Sequence, residues 1–142
     1  MVTTIINALL FRSRAQKHIH INPELKKGYE NFFNGWLFYG NMPWMIMMFG
    51  DISGVTETIF EYFTPKSMNP MVLAFHGSIV LLWMLSVRWI YFKDGAEFIE
   101  KHPAVINRPK TKITAQQVKQ FFPLIIINGV IVMILLWAID FS

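Results

Sequence analysis

Three stretches of this chain are too long and too apolar for the core of a water-soluble domain. Phe32–Gly50 runs 19 residues without a charge, Pro70–Phe92 runs 23 with Arg88 alone near its end, and Phe121–Ile139 runs 19 with none. A hydrocarbon layer of about 30 Å takes roughly 20 helical residues at about 1.5 Å each. Inside lipid a segment must satisfy its own backbone hydrogen bonds, which selects helix over strand. These segments are apolar around their whole circumference, whereas a soluble bundle needs polar faces at helical spacing. The expected fold is an all-α integral membrane protein with three transmembrane helices, at 32–50, 70–92 and 121–140.

The orientation follows from the cations. Residues 1–31 hold Arg12, Arg14, Lys17, Lys26 and Lys27, and residues 93–120 hold Lys93, Lys101, Arg108, Lys110, Lys112 and Lys119. The loop 51–69 has only Lys66, beside Asp51, Glu57 and Glu61. The positive-inside rule then predicts a cytoplasmic N-terminal segment at 1–31, an outer loop at 51–69, a cytoplasmic loop at 93–120 and an outer C-terminus. The result is a single membrane domain over 1–142 in the cell's inner membrane. The net charge of +4 is accounted for by topology and by anionic headgroups, so nucleic acid is not an expected partner. The apolar run Ile5–Phe11 has its basic residues after it, with no small-residue cleavage site, which is not the order of a signal peptide.

Local signals mark the helix starts. Asn22-Pro23 and Asn69-Pro70 each pair a capping side chain with a proline suited to the first turn. Thr114 with Gln117 is a capping box that opens the third span. Pro43, mid-way through the first span, predicts a kink there, and Pro123 a bend early in the third. Short interfacial amphipathic helices are expected on both sides. One is built on the stripe Ile52, Val55, Ile59 and Phe63; another is a capped turn from Asp94 to His102-Pro103. The segment 104–113 reads as an extended connector, and Ile5, Ile6, Leu9 and Leu10 suit the membrane surface.

Polar atoms within apolar spans are costly unless paired, so they are the candidates for function. Asn34 lies near a boundary, while His76, Asn41 and Asn128 lie roughly 9, 14 and 18 Å from the outer ends at the helical rise. They read either as an interhelical hydrogen-bond cluster or as a site in which His76 ligates haem b or contacts a quinone. A bis-histidine haem would need a second embedded histidine from elsewhere, because His18, His20 and His102 fall on the cytoplasmic surface. A methionine group around Met42, Met45, Met47 and Met48, with Met68 and Met71 near the same mouth, has thioethers suited to Cu(I) and also to irregular packing. Arg88 sits where it can snorkel to lipid phosphates. Ala74, Gly77 and Ser78 form a small-residue patch for close helix packing. Trp36, Trp89, Tyr91 and Trp137 suit the two interfaces, with Trp44 and Trp83 deeper, between helices.

The chain has no cysteine, which removes disulfides, thiolate ligands and thiol nucleophiles. Hydrolytic triads, phosphate loops and paired carboxylates are also missing from the pattern. In size, span number and orientation the chain resembles the membrane anchors of fumarate reductase. That likeness is architectural and implies a respiratory accessory subunit. The expected function is a non-catalytic accessory, anchoring or assembly subunit of a larger membrane complex, partnered by lipids and by other membrane subunits or copies of itself. A haem- or quinone-contacting anchor using His76 is one alternative. A homo-oligomeric channel or carrier lined by Asn41 and Asn128 is another.

Overall fold

A computed structural model describes residues 2–106 and 113–138, with side chains from residue 6 onward. The expected connector residues Arg108, Lys110 and Lys112 and the end of the third span at Ile139 and Asp140 lie outside the described residues. Within them the structure is helical, with no strand. The α-helices are α1 (Val2–Ile21), α2 (Leu25–Tyr39), α3 (Met42–Ile52), α4 (Pro70–Phe92), α5 (Gly95–Lys101) and α6 (Ala115–Ala138). Tighter 3-10 turns lie at Ile59–Phe63, Pro65–Ser67 and Pro103–Val105. Two compact units divide the chain, Met1–Asn41 with Ser86–Phe121 and Met42–Leu85 with Phe122–Ser142.

In the first unit α1 buries Ala8, Phe11 and Ala15 at helical spacing and leaves Ile6, Leu9 and Leu10 exposed on its other side. Phe11 meets Tyr29 edge-on at 5.9 Å and stacks on Phe33 at 6.2 Å. Tyr29 and Ala104 complete this core, with Ile19, Leu25, Phe32 and Val105 around it. At Asn22-Pro23 the structure differs from the expected helix start: Asn22 Oδ1 accepts the Glu24 N–H at 3.2 Å within a turn, and α2 begins at Leu25 with Glu24 at its N-cap. The capping box is also present, Thr114 N–H donating to Gln117 Oε1 at 3.1 Å and Gln117 N–H to Thr114 Oγ1 at 3.2 Å. Glu100 adds a third acceptor for the orphan donors at the start of α6, taking the Ala115 N–H at 2.8 Å. The helix α5 runs where a capped turn is expected, but Asp94 takes a left-handed conformation and makes no capping bond.

The first expected span is two helices. The backbone ladder reaches Gly40, whose N–H donates to Trp36 O at 2.9 Å. Asn41 then turns its side chain onto its own helix, Nδ2 donating to Leu37 O at 2.6 Å. Pro43 has no N–H for the Tyr39 carbonyl, and it sits instead in the first turn of α3, where a missing donor costs nothing. The break thus falls just before the proline expected to kink the span. At 15 and 11 residues, α2 and α3 are each short of a bilayer. Among the described residues two helices, α4 with 23 residues and α6 with 24, are long and apolar enough to cross a membrane. Pro123 is accommodated inside α6.

In the second unit α3 ends at Ile52, and Gly54 leaves the helical region at φ +69°. The expected amphipathic helix over 52–63 is therefore replaced by a turn and a 3-10 segment. The Glu61 carboxylate accepts the N–H groups of Glu57 and Thr58, which starts the new turn. Ile52, Val55, Ile59 and Phe63 are exposed and Tyr62 is buried. Asn69 caps α4, its Oδ1 accepting the Met71 N–H at 2.9 Å, while its Nδ2 donates to Val55 O at 2.8 Å. Gly129 of α6 lies so close to the Trp83 ring of α4 that a methyl group there would not fit without movement.

Candidate functional site

The site built around His76 belongs to the second unit. His76 lies on α4 a turn and a half past Pro70, and 4% of its surface is exposed. Its Nε2 is 2.9 Å from the carbonyl oxygen of Tyr62. A carbonyl can only accept, so the hydrogen is on Nε2, and in the neutral ring Nδ1 holds the lone pair. That Nδ1 is buried without a hydrogen-bond partner. Phe75 and Trp137 pack edge-on against the ring at centroid distances of 5.5 and 6.1 Å.

Tyr62 is fully buried and fixes the 3-10 turn Ile59–Phe63 from both ends of its residue. Its hydroxyl donates to Met47 O at 3.2 Å and lies 3.4 Å from Thr56 Oγ1. Thr56 donates in turn to Asp51 Oδ1 at 2.9 Å. The two hydrogen-bonded runs meet only through the covalent body of Tyr62, so the arrangement is a clasp and not a continuous proton path. Neither Tyr62 nor Thr56 stands out in the sequence. The available signal is Thr58 with Glu61, the spacing of a helix start inside a loop.

The other polar candidates are placed separately. The described hydrogen bond of Asn41 is to its own helix. Asn128 is exposed on α6, with no hydrogen bond described. Asn34 is exposed on α2. The expected cluster of Asn41, His76 and Asn128 is therefore not linked by any described bond among its members. Of the small-residue patch, Ser78 is buried and donates to Phe75 O at 2.6 Å, whereas Ala74 and Gly77 are exposed, with open space where a Gly77 side chain would be. Arg88 is exposed near the end of α4, and Trp44 is exposed on α3, not packed between helices.

In the first unit the structure corrects the placement of His102. It is buried, not a surface residue. Its ring stacks on Phe98 at 3.9 Å, stands edge-on to Tyr29 at 4.8 Å, and its Nδ1–H donates to Phe98 O at 2.8 Å. The missing side chain of Gly28 makes the space for Nε2. The Tyr29 hydroxyl accepts the Ala104 N–H at 3.2 Å, and burial raises its pKa, partly offset by that bond. Lys119 Nζ, 2.6 Å from Glu97 Oε1, holds that carboxyl below its usual range by its hydrogen bond. Tyr91 donates to Lys119 O at 2.7 Å, tying α4 to α6 within this unit. Among the described residues no three His, Cys, Asp or Glu side chains stand close enough to share a metal ion.

No protein-family model, curated protein or solved structure matches this chain.

Proposed function

We propose that the chain is a small multi-pass protein of the cell's inner membrane, non-catalytic by itself, that serves as an accessory, anchoring or assembly subunit of a larger membrane complex. The observation that carries this reading is the bareness of its two long apolar helices. Only 17% of the most apolar window of α4 is buried within the chain, and none of that of α6. A soluble protein hides such surface in its core, whereas lipid and neighbouring membrane helices cover it at no cost. In this reading α2 and α3 together make the first crossing. The eleven cations of residues 1–31 and 93–120 face the cytoplasm. The exposed Ile6, Leu9 and Leu10 of α1, near Arg12 and Arg14, lie on the headgroups.

The clasp of His76 on Tyr62 supports a holding role: it spends a buried imidazole on fixing a loop. The test is purification in mild detergent from carbonate-washed membranes, followed by mass spectrometry of what stays bound in constant ratio. A stoichiometric set of other membrane subunits is expected. A chain extracted by carbonate, or one that purifies alone, overturns the reading.

One observation favours a second reading, a quinone-contacting anchor. The unpartnered Nδ1 of His76 is an acceptor suited to a quinol hydroxyl. Haem iron would have to approach the same nitrogen, since Nε2 is engaged by Tyr62. Organic extraction of the purified protein would yield a quinone in this case, and His76→Gln, whose amide nitrogen can replace Nε2 but which sets no acceptor at the position of Nδ1, would lose it. A quinone-free preparation ends this second reading.

A further inference from the structure

Asn128 is an exposed polar residue on an apolar helix. It stands in the middle of α6 with a carboxamide that no described residue satisfies. Around it the outward side of α6 follows a 4-3-4-3 spacing: Leu124, Asn128, Ile131, Leu135 and Ala138, all exposed. The opposite side of the helix is where α6 packs, with Gly129 against Trp83. A seam with this spacing keeps facing a partner helix along its length when two helices cross at a shallow angle. A single asparagine in such a seam fixes its register.

We infer that α6 pairs with α6 of a second copy of this chain along this seam, the two Asn128 carboxamides exchanging hydrogen bonds across a two-fold axis. The inference rests on the membrane reading proposed above and names one of the partners it calls for. Three features select a second copy over an unrelated helix. A carboxamide carries both a donor and an acceptor, so its own image satisfies it. Two copies inserted with the same topology are parallel, which brings residue 128 of each to the same depth without further adjustment. The remaining seam is uncharged, so it asks for no complementary charge on its partner. In lipid, with no water to bond the amide, such polar pairs and close packing are what associate helices.

The absence of cysteine makes the test direct. Single replacements Ile131→Cys and Leu135→Cys fall on the seam, and Ile127→Cys and Ile134→Cys fall on exposed positions beside it. Each is oxidised in carbonate-washed membranes with copper phenanthroline, which joins thiols only where Cβ atoms approach about 4 Å. Disulfide-linked dimer is expected at the seam positions and not at the flanking ones. Asn128→Leu in the Ile131→Cys background lowers the dimer constant by roughly 3- to 18-fold per bond lost, and Asn128→Gln retains it. Equal crosslinking on and off the seam, monomer throughout, or indifference to Asn128→Leu overturns the pairing. In the last three cases the chain still sediments with the membranes; if it does not, the membrane reading fails as well.

Discussion

The backbone carbonyl of Tyr62 and the Nε2 of His76 stand 2.9 Å apart, and this bond joins the 3-10 turn Ile59–Phe63 to α4 beside the edge-on contact of the Tyr62 and Phe75 rings. Both residues are buried, so neither has water as a substitute. Removing one partner of a buried pair leaves the other unsatisfied, which costs about 1–3 kcal/mol. His76→Ala is expected to lower the unfolding midpoint in detergent accordingly. His76→Gln, whose amide nitrogen can take the place of Nε2, is expected to lose much less. Equal losses for the two variants would show that packing against Phe75 and Trp137, not the bond to Tyr62, sets the stability.

Gly28 and His102 form a second coupled pair. A methyl group on Gly28 would overlap the imidazole, because Nε2 and Cε1 occupy that space. To make room the ring must leave its stack on Phe98 or its bond to Phe98 O. Gly28→Ala is expected to destabilise by about 1–3 kcal/mol, as overpacking does. Adding His102→Ala empties the space, so the double variant should be more stable than the sum of the single losses predicts. Additive losses in thermal melts would mean that the ring is not what Gly28 accommodates.

Stability should fall at both ends of the pH range, each through a different residue. Glu97 is held below its ordinary value of 4.5 by Lys119. Its contribution is therefore present above that value and lost as pH falls through the lower folded one. Tyr29 is raised above its ordinary 10.0, so its contribution is complete below that and lost as pH rises through the higher folded value. Melting midpoints measured across pH should flatten on the acid side in Glu97→Gln and on the alkaline side in Tyr29→Phe. Unchanged pH profiles in the two variants would refute both assignments.

The parts of this fold that were legible in the sequence are those fixed by local chemistry. The bounds of α4 follow from Asn69-Pro70 and unbroken hydropathy, and the start of α6 from Thr114 and Gln117. The break at Gly40–Asn41 was only half legible. Pro43 announces trouble in the ladder, but which carbonyl finds a new donor depends on Asn41 turning back to Leu37. The segment 52–63 misled because Ile52, Val55, Ile59 and Phe63 do share a helical stripe. A left-handed Gly54 and the Glu61 carboxylate divert the backbone before that stripe forms. The burial of His102 and Tyr62 was not legible at all, since each depends on residues far away in the sequence. The candidate site was legible only as one residue, His76, and not in its partners.

In the membrane reading proposed above, the broken first span distinguishes a three-crossing chain from a two-crossing one. If α2 and α3 act as one crossing, Ser13 on α1 lies on the cytoplasmic side and Ser67 in the 3-10 turn Pro65–Ser67 lies outside. If only α4 and α6 cross, both serines share a side. Both positions are exposed, and the chain has no competing cysteine. A membrane-impermeant maleimide on intact cells is expected to label Ser67→Cys nearly completely and Ser13→Cys hardly at all until the membrane is permeabilised. Lys101→Cys, on the far side of α4 from Ser67 in either case, should follow Ser13→Cys in the three-crossing arrangement. Labelling of Ser13→Cys together with Ser67→Cys would mean that Asn41 and Pro43 break the first apolar stretch into a hairpin that returns to the outer face.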